Sequence, residues 1–89
     1  MNQHGLSRTI SPDIKYQIRK EAYFGCVHCG MAFIDYEHID PEFSDATKHD
    51  PSKMTLLCPD MNQKKERGFI SKETVWEWKS NPWGKQKGH

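Results

Sequence analysis

Three cysteines constrain this chain more than any other feature. Cys26-Val27-His28-Cys29 sets two thiols at C-x-x-C spacing on a turn that ends in Gly30, and Cys58 follows much later. Two thiolates at that spacing grip one metal ion without strain, and a closed structural zinc site takes four ligands, commonly from a second C-x-x-C. The residue that would complete such a second pair is Met61. His28 and Asp60 are then the candidates for a fourth zinc ligand. The competing reading is a small apolar cluster of the cysteines and Met61 with no metal, since a thioether is a poor zinc ligand and packs well in a core. An odd cysteine count argues against a closed disulfide framework. A staple of some kind matters here. The chain has 89 residues, enough for one domain, of which 35% are hydrophobic, and its mean hydropathy is −0.91. So short and polar a chain buries little apolar surface. No apolar N-terminal run has the form of a signal peptide and none is long enough to span a bilayer, so a reducing, cytoplasmic setting with no membrane partner is expected.

Charge is nearly balanced, with 13 Lys+Arg against 12 Asp+Glu and a formal net charge of +1. Its distribution says more. Lys64, Lys65 and Arg67 cluster, Lys79, Lys85 and Lys87 lie towards the C-terminus, and the acids gather in the middle of the chain at Asp35, Glu37, Asp40, Glu42, Asp45, Asp50 and Asp60. An acidic pocket beside a basic rim would suit a metal next to a phosphate, whereas an ordinary mixed surface is what composition alone favours.

Residues 1–10 carry no periodicity and read as a flexible arm. Ser11-Pro12 is a helix start, and Ile14, Ile18 and Ala22 follow on one helical stripe that Gly25 would end. Residues 33–39 mix β-branched and aromatic side chains and suit a short strand. Residues 40–52 hold two prolines and several turn formers and read as a loop. Residues 54–57 form a second short strand. A helix is expected from Pro59 to about Arg67, stopped by Gly68. A last helix, capped by Ser71 and running to Lys79, should face Val75 and Trp78 inward before Asn81-Pro82 ends it. Residues 83–89 read as a flexible basic tail.

Two further motifs carry chemistry. Glu37-His38 precedes Ile39-Asp40-Pro41 and offers a hard oxygen ligand beside a base that works near neutral pH. Neighbours in a strand face opposite ways, so the pair converges on one site only if the strand ends or bulges there. Leu56-Leu57-Cys58-Pro59-Asp60-Met61-Asn62 leads from strand into helix. Asn62 and Glu66, spaced i, i+4, share a helix face. Singly, each of these residues would be read as surface.

Taken in order, a C-x-x-C, an acid-His-Ile-x-Pro and a Leu-Leu-Cys-x-x-x-Asn resemble the HNH endonuclease family over roughly residues 11–82. The resemblance implies a small α+β domain, the ββα-metal fold with flanking helices, in which a β-hairpin and a helix surround one ion. Glu37 matches the family's first metal-ligand position, His38 its general base, and Asn62 its last motif position, a second ligand. Asp50 fits the acid that precedes the family's central Asn-Leu. Residues Lys53 and Met54 stand in the place of that pair, and Lys53 cannot accept the hydrogen bonds by which the family's Asn braces the loop and orients the base. The implied activity is metal-dependent hydrolysis of phosphodiester bonds, with Mg²⁺ or Mn²⁺ at Glu37 and Asn62 and a structural Zn²⁺ on Cys26, Cys29 and Cys58. The implied partner is nucleic acid, DNA ahead of RNA, with Lys64, Lys65 and Arg67 as its phosphate contacts. An accessory place beside larger phage or restriction machinery fits so small a chain. Two readings compete with the nuclease: an HNH-like module kept only for binding nucleic acid or protein, which Lys53 and Met61 favour, and a zinc-binding interaction domain in which Glu37-His38 is incidental.

Overall fold

The computed structural model of the protein describes residues 1–86. It is a small α+β structure. Helix α1 (Pro12–Glu21) comes first, followed by strand β1 (Asp35–His38), a loop containing two single-turn 3-10 helices, and strand β2 (Met54–Leu57). Helices α2 (Pro59–Glu66), α3 (Lys72–Ser80) and α4 (Trp83–Gln86) close the chain. The strands pair antiparallel, with Asp35 opposite Leu57, Tyr36 opposite Leu56, Glu37 opposite Thr55 and His38 opposite Met54.

Strand β2 is the centre of the core. All four of its residues are buried, which requires cover on both sheet faces. Helices α1 and α2 both pack against it, and Ile18, Val27, Ile39 and Val75 join it in one apolar cluster. The stripe read from α1 is the one used: Ile18 and Ala22 are buried, and Ile14 packs at the margin. On α3, Val75 is buried and Trp78 packs against the cluster, with Ser71 capping the helix by accepting from the Thr74 amide.

Three segments depart from the sequence reading. Helix α1 stops at Glu21 rather than at Gly25. The turn is made by Tyr23 and Phe24, with φ of 59° and 60°, and the Phe24 amide donates to the Arg19 carbonyl at 2.7 Å. Left-handed backbone at two bulky residues costs roughly 1–2 kcal/mol each, and close cover by α4 accompanies it. A Cβ on Gly84 would lie 2.6 Å from that of Tyr23, so only glycine permits this approach. Residues 83–86, read as the start of a flexible tail, thus form α4, and the Trp83 amide donates to the Val27 carbonyl at 2.9 Å. The remaining tail, Lys87 included, lies outside the described residues. Finally, residues 1–10 carry contacts that a loose arm would lack. The Asn2 side-chain amide donates to the carbonyls of Phe43 and Ala46, Gln3 donates to Asp45, and Ile10 is buried.

Lys79, grouped above with the lysines towards the C-terminus, is committed to the fold. Its Nζ donates to the Met54 carbonyl at 2.7 Å, to the Pro51 carbonyl at 3.2 Å and to Glu21 at 3.2 Å. It thereby ties α3 to α1 and to the entry of β2. Losing charge-assisted hydrogen bonds at a half-buried site costs about 1.5–3 kcal/mol. Lys79→Met is therefore expected to lower Tm by several degrees in thermal denaturation, and an unchanged Tm would show these bonds to be dispensable.

Candidate functional site

The end of β1 opens into a pocket of about 320 Å³. Strand β1 lines it with Tyr36, Glu37 and His38. Helix α2 adds Asn62, Lys65 and Glu66, the 40–53 loop adds Phe43 and His49, and the N-terminal arm adds Arg8. The three residues assigned from the sequence to one site, Glu37, His38 and Asn62, therefore do share a cavity. Alternation along a strand would separate Glu37 from His38. Both reach the pocket because β1 ends at His38, and the loop and arm wrap around that end.

Burial governs the chemistry of each group. Glu37 is mostly covered, and burial raises its carboxyl above the ordinary carboxylate range. The Lys65 ammonium, 3.9 Å away, opposes that shift, while Glu66 and Glu42 add to it. His38 is 5% exposed, and burial, then the His49 and Arg8 charges, lowers its pKa below the usual value. A neutral imidazole at neutral pH is the form that can accept a proton. Asn62 is anchored through Nδ2, which donates to Asp35 at 3.3 Å, and its Oδ1 is buried with no hydrogen-bond partner. A buried acceptor without a donor costs about 1–3 kcal/mol. Asn62 and Glu37 line the same pocket, and amide and carboxylate oxygens are the donors that hard cations take.

The basic cluster divides. Lys65 is not on a rim; its side chain is 8% exposed and turned to Glu37. Lys64 is exposed and pairs with Asp60 at 3.4 Å, and Arg67 is exposed at the end of α2. Neither Lys64 nor Arg67 lines the pocket. Asp50 is also outside it, capping the 3-10 turn at residues 51–53 by accepting from Ser52. Lys53 is exposed, and its carbonyl accepts from the Ile39 amide at 2.9 Å. The His38 ring is met not by residue 53 but by His49, whose Nδ1 lies 3.0 Å from His38 Nε2. His49 and Arg8 went unread in the sequence. One sits in a loop between prolines and the other in an aperiodic arm, and neither position carries a periodic or motif signal.

The cysteines form a second centre, which includes Cys58 at the junction of β2 and α2. The Sγ atoms of Cys26, Cys29 and Cys58 all lie within 4.8 Å of one another, close enough to hold a metal ion such as zinc. The knuckle is shaped by the Gly30 amide donating to the Cys26 carbonyl at 2.7 Å, and by Gly25, where a Cβ would meet the Gly30 carbonyl at 2.7 Å. Burial raises the Cys26 thiol, but backbone donors from Cys29, Cys58 and His28 outweigh it and bring its pKa below the ordinary value. Burial and the neighbouring sulfurs push Cys29 up to about 11. Among the described residues no histidine or carboxylate joins the three thiols. His28 instead lies against the Trp78 ring at 4.4 Å, and Asp60 pairs with Lys64, so neither supplies the fourth ligand considered above.

No family model matches the chain, and neither curated proteins nor solved structures yield a match. No helix among the described residues is long and apolar enough to cross a membrane.

Proposed function

We propose that this chain is a metal-dependent endonuclease of the HNH type, hydrolysing phosphodiester bonds in nucleic acid, DNA ahead of RNA, on a ββα-metal core formed by β1, β2 and α2. The observation that carries the reading is that Asn62, whose buried Oδ1 has no hydrogen-bond partner, lines the same pocket as Glu37 and His38. Glu37 and Asn62 are the residues that would hold Mg²⁺ or Mn²⁺, with Glu66 at the pocket wall as a further oxygen donor. When bound, the ion supplies Lewis-acid polarisation of the phosphate and charge neutralisation at the leaving oxygen.

The chain's own residues do the rest. His38, held neutral by burial, takes a proton from the attacking water. A P–O bond to that water oxygen forms as the P–O3′ bond breaks, and the departing oxygen is protonated from solvent. Lys65 lies 3.9 Å from Glu37 within the pocket and opposes the upward shift that burial imposes on its carboxyl. Arg8 at the pocket edge, its guanidinium 4.2 Å from the Phe43 ring centre, presents a cation to an incoming phosphate. Lys64, exposed and paired with Asp60, and Arg67, exposed at the end of α2, would meet the flanking backbone, an interaction that weakens with salt.

A supercoiled-plasmid nicking assay tests this directly. Nicking is expected with Mn²⁺ or Mg²⁺ and should vanish with EDTA. Absence of cleavage in every metal tried would leave the binding-module reading standing and remove the enzyme.

A further inference from the structure

The second imidazole in the pocket has no part in the mechanism above, yet its two ring nitrogens are both engaged. His49 Nε2 lies 2.7 Å from the Ser7 carbonyl oxygen, and His49 Nδ1 lies 3.0 Å from His38 Nε2. A carbonyl oxygen only accepts, so His49 Nε2 must carry a hydrogen. A neutral imidazole has one ring hydrogen, which leaves His49 Nδ1 bare and able only to accept. His38 Nε2 is therefore the donor in the contact between the rings. That uses the single hydrogen of neutral His38 and leaves its Nδ1 with a lone pair. Among the described residues, His38 Nδ1 has no hydrogen-bond partner, and it is not one of the unpartnered atoms sealed from solvent.

From this chain of hydrogen bonds we infer that His49 is a positioning residue: it fixes the tautomer and orientation of His38 so that the basic lone pair stands on Nδ1, open to the pocket. The inference deepens, and rests on, the nuclease reading of His38. It also gives the N-terminal arm a function. The chain of bonds ends on the Ser7 carbonyl, 42 residues from His49 in sequence. The arm is held by Asn2, which donates to Phe43 and Ala46 and accepts from the amides of His4 and Leu6. The Phe43 ring lies nearly parallel to that of His49, 13° between planes at 6.4 Å, and 5.6 Å from His38, limiting how either imidazole can turn. Backbone atoms of the arm thus set the protonation pattern of a side chain on β1.

NMR of the full-length, ¹⁵N-labelled, metal-free chain reads the hydrogens directly. Long-range ¹H–¹⁵N spectra should show the hydrogen of His38 on Nε2 and a bare Nδ1. A scalar coupling across the hydrogen bond should join His38 Nε2 to His49 Nδ1. His49→Ala is expected to abolish the coupling and let His38 exchange between tautomers. His49→Asn, whose Oδ1 can stand in for Nδ1 as an acceptor, should keep the Nε2–H form. In the nicking assay His49→Ala should lose up to about 10²-fold, the loss that follows misplacement of a catalytic group, with His49→Asn recovering part of it. A hydrogen found on His49 Nδ1, or a His38 tautomer unmoved by His49→Ala, would overturn the inference. Should the alanine variant not fold, the wild-type coupling and the asparagine variant decide. A wild-type chain that does not nick would defeat the nuclease reading and leave the tautomer measurement to judge His49 on its own.

Discussion

His38→Ala is expected to lower the nicking rate by about 10²–10⁴-fold, the usual worth of a positioned general base. In free energy that is about 2.7–5.5 kcal/mol of transition-state stabilisation. The expectation rests on a buried imidazole in the pocket, its pKa lowered by burial, with one nitrogen committed to His49 and the other without a hydrogen-bond partner among the described residues. Alanine also removes packing, because the ring stands 5.6 Å from Phe43 and 5.1 Å from His49. A companion variant separates the two effects. Glutamine at 38 can still donate to His49 through its amide and fills much of the same space, but it has no basic nitrogen. Equal losses in His38→Ala and His38→Gln, with melting temperatures well above the assay temperature, assign the defect to proton transfer. Wild-type nicking by His38→Gln would mean that hydroxide from solvent suffices and that His38 is structural.

How far the sequence could be read follows physical lines. Strand β2, helix α2 and helix α3 were legible because a run of buried residues, Pro59, Ser71 and Gly68 are local signals that act where they stand. Glu37, His38 and Asn62 were legible because their order matches a pattern, and the structure does bring them into one pocket. What stayed hidden depends on contacts between segments distant in the chain. The turn at Tyr23-Phe24 forms against Gly84, some sixty positions away, and no property of residues 23 and 24 announces it. The arm is ordered by carbonyls of the 43–46 turn, which cannot be paired with Asn2 from composition. Lys65 looked like its neighbours Lys64 and Arg67, yet helical phase turns it alone of the three into the pocket. His49 was invisible for the same reason as Arg8. Its meaning comes entirely from what lies across the cavity.

Removing the metal that Cys26, Cys29 and Cys58 could hold should have the largest effect on stability. Chelation, or Cys58→Ser, is expected to lower Tm by tens of degrees if zinc is the domain's staple. A structural zinc contributes an apparent binding free energy of about 10–16 kcal/mol in small four-ligand domains, and each kcal/mol is worth about 4–8 °C in a domain of this size. Three ligands deliver only part of that, but Cys58 joins β2 to α2 and Cys26 is fully buried, so any metal term acts on the core itself. Acid should erase the effect. Zinc binds thiolates, and without metal Cys29 keeps its proton up to about pH 11, so binding must displace protons. Falling pH favours the thiols, weakens binding and should narrow the Tm gap between zinc-loaded and chelated protein, as scanning calorimetry from pH 8 down to pH 5 would record. A melting temperature indifferent to chelator at every pH, with less than one zinc in ten chains by elemental analysis, would instead make the three cysteines and Met61 an apolar patch of core. The polar 89-residue chain would then owe its stability to β2 and its covering helices alone.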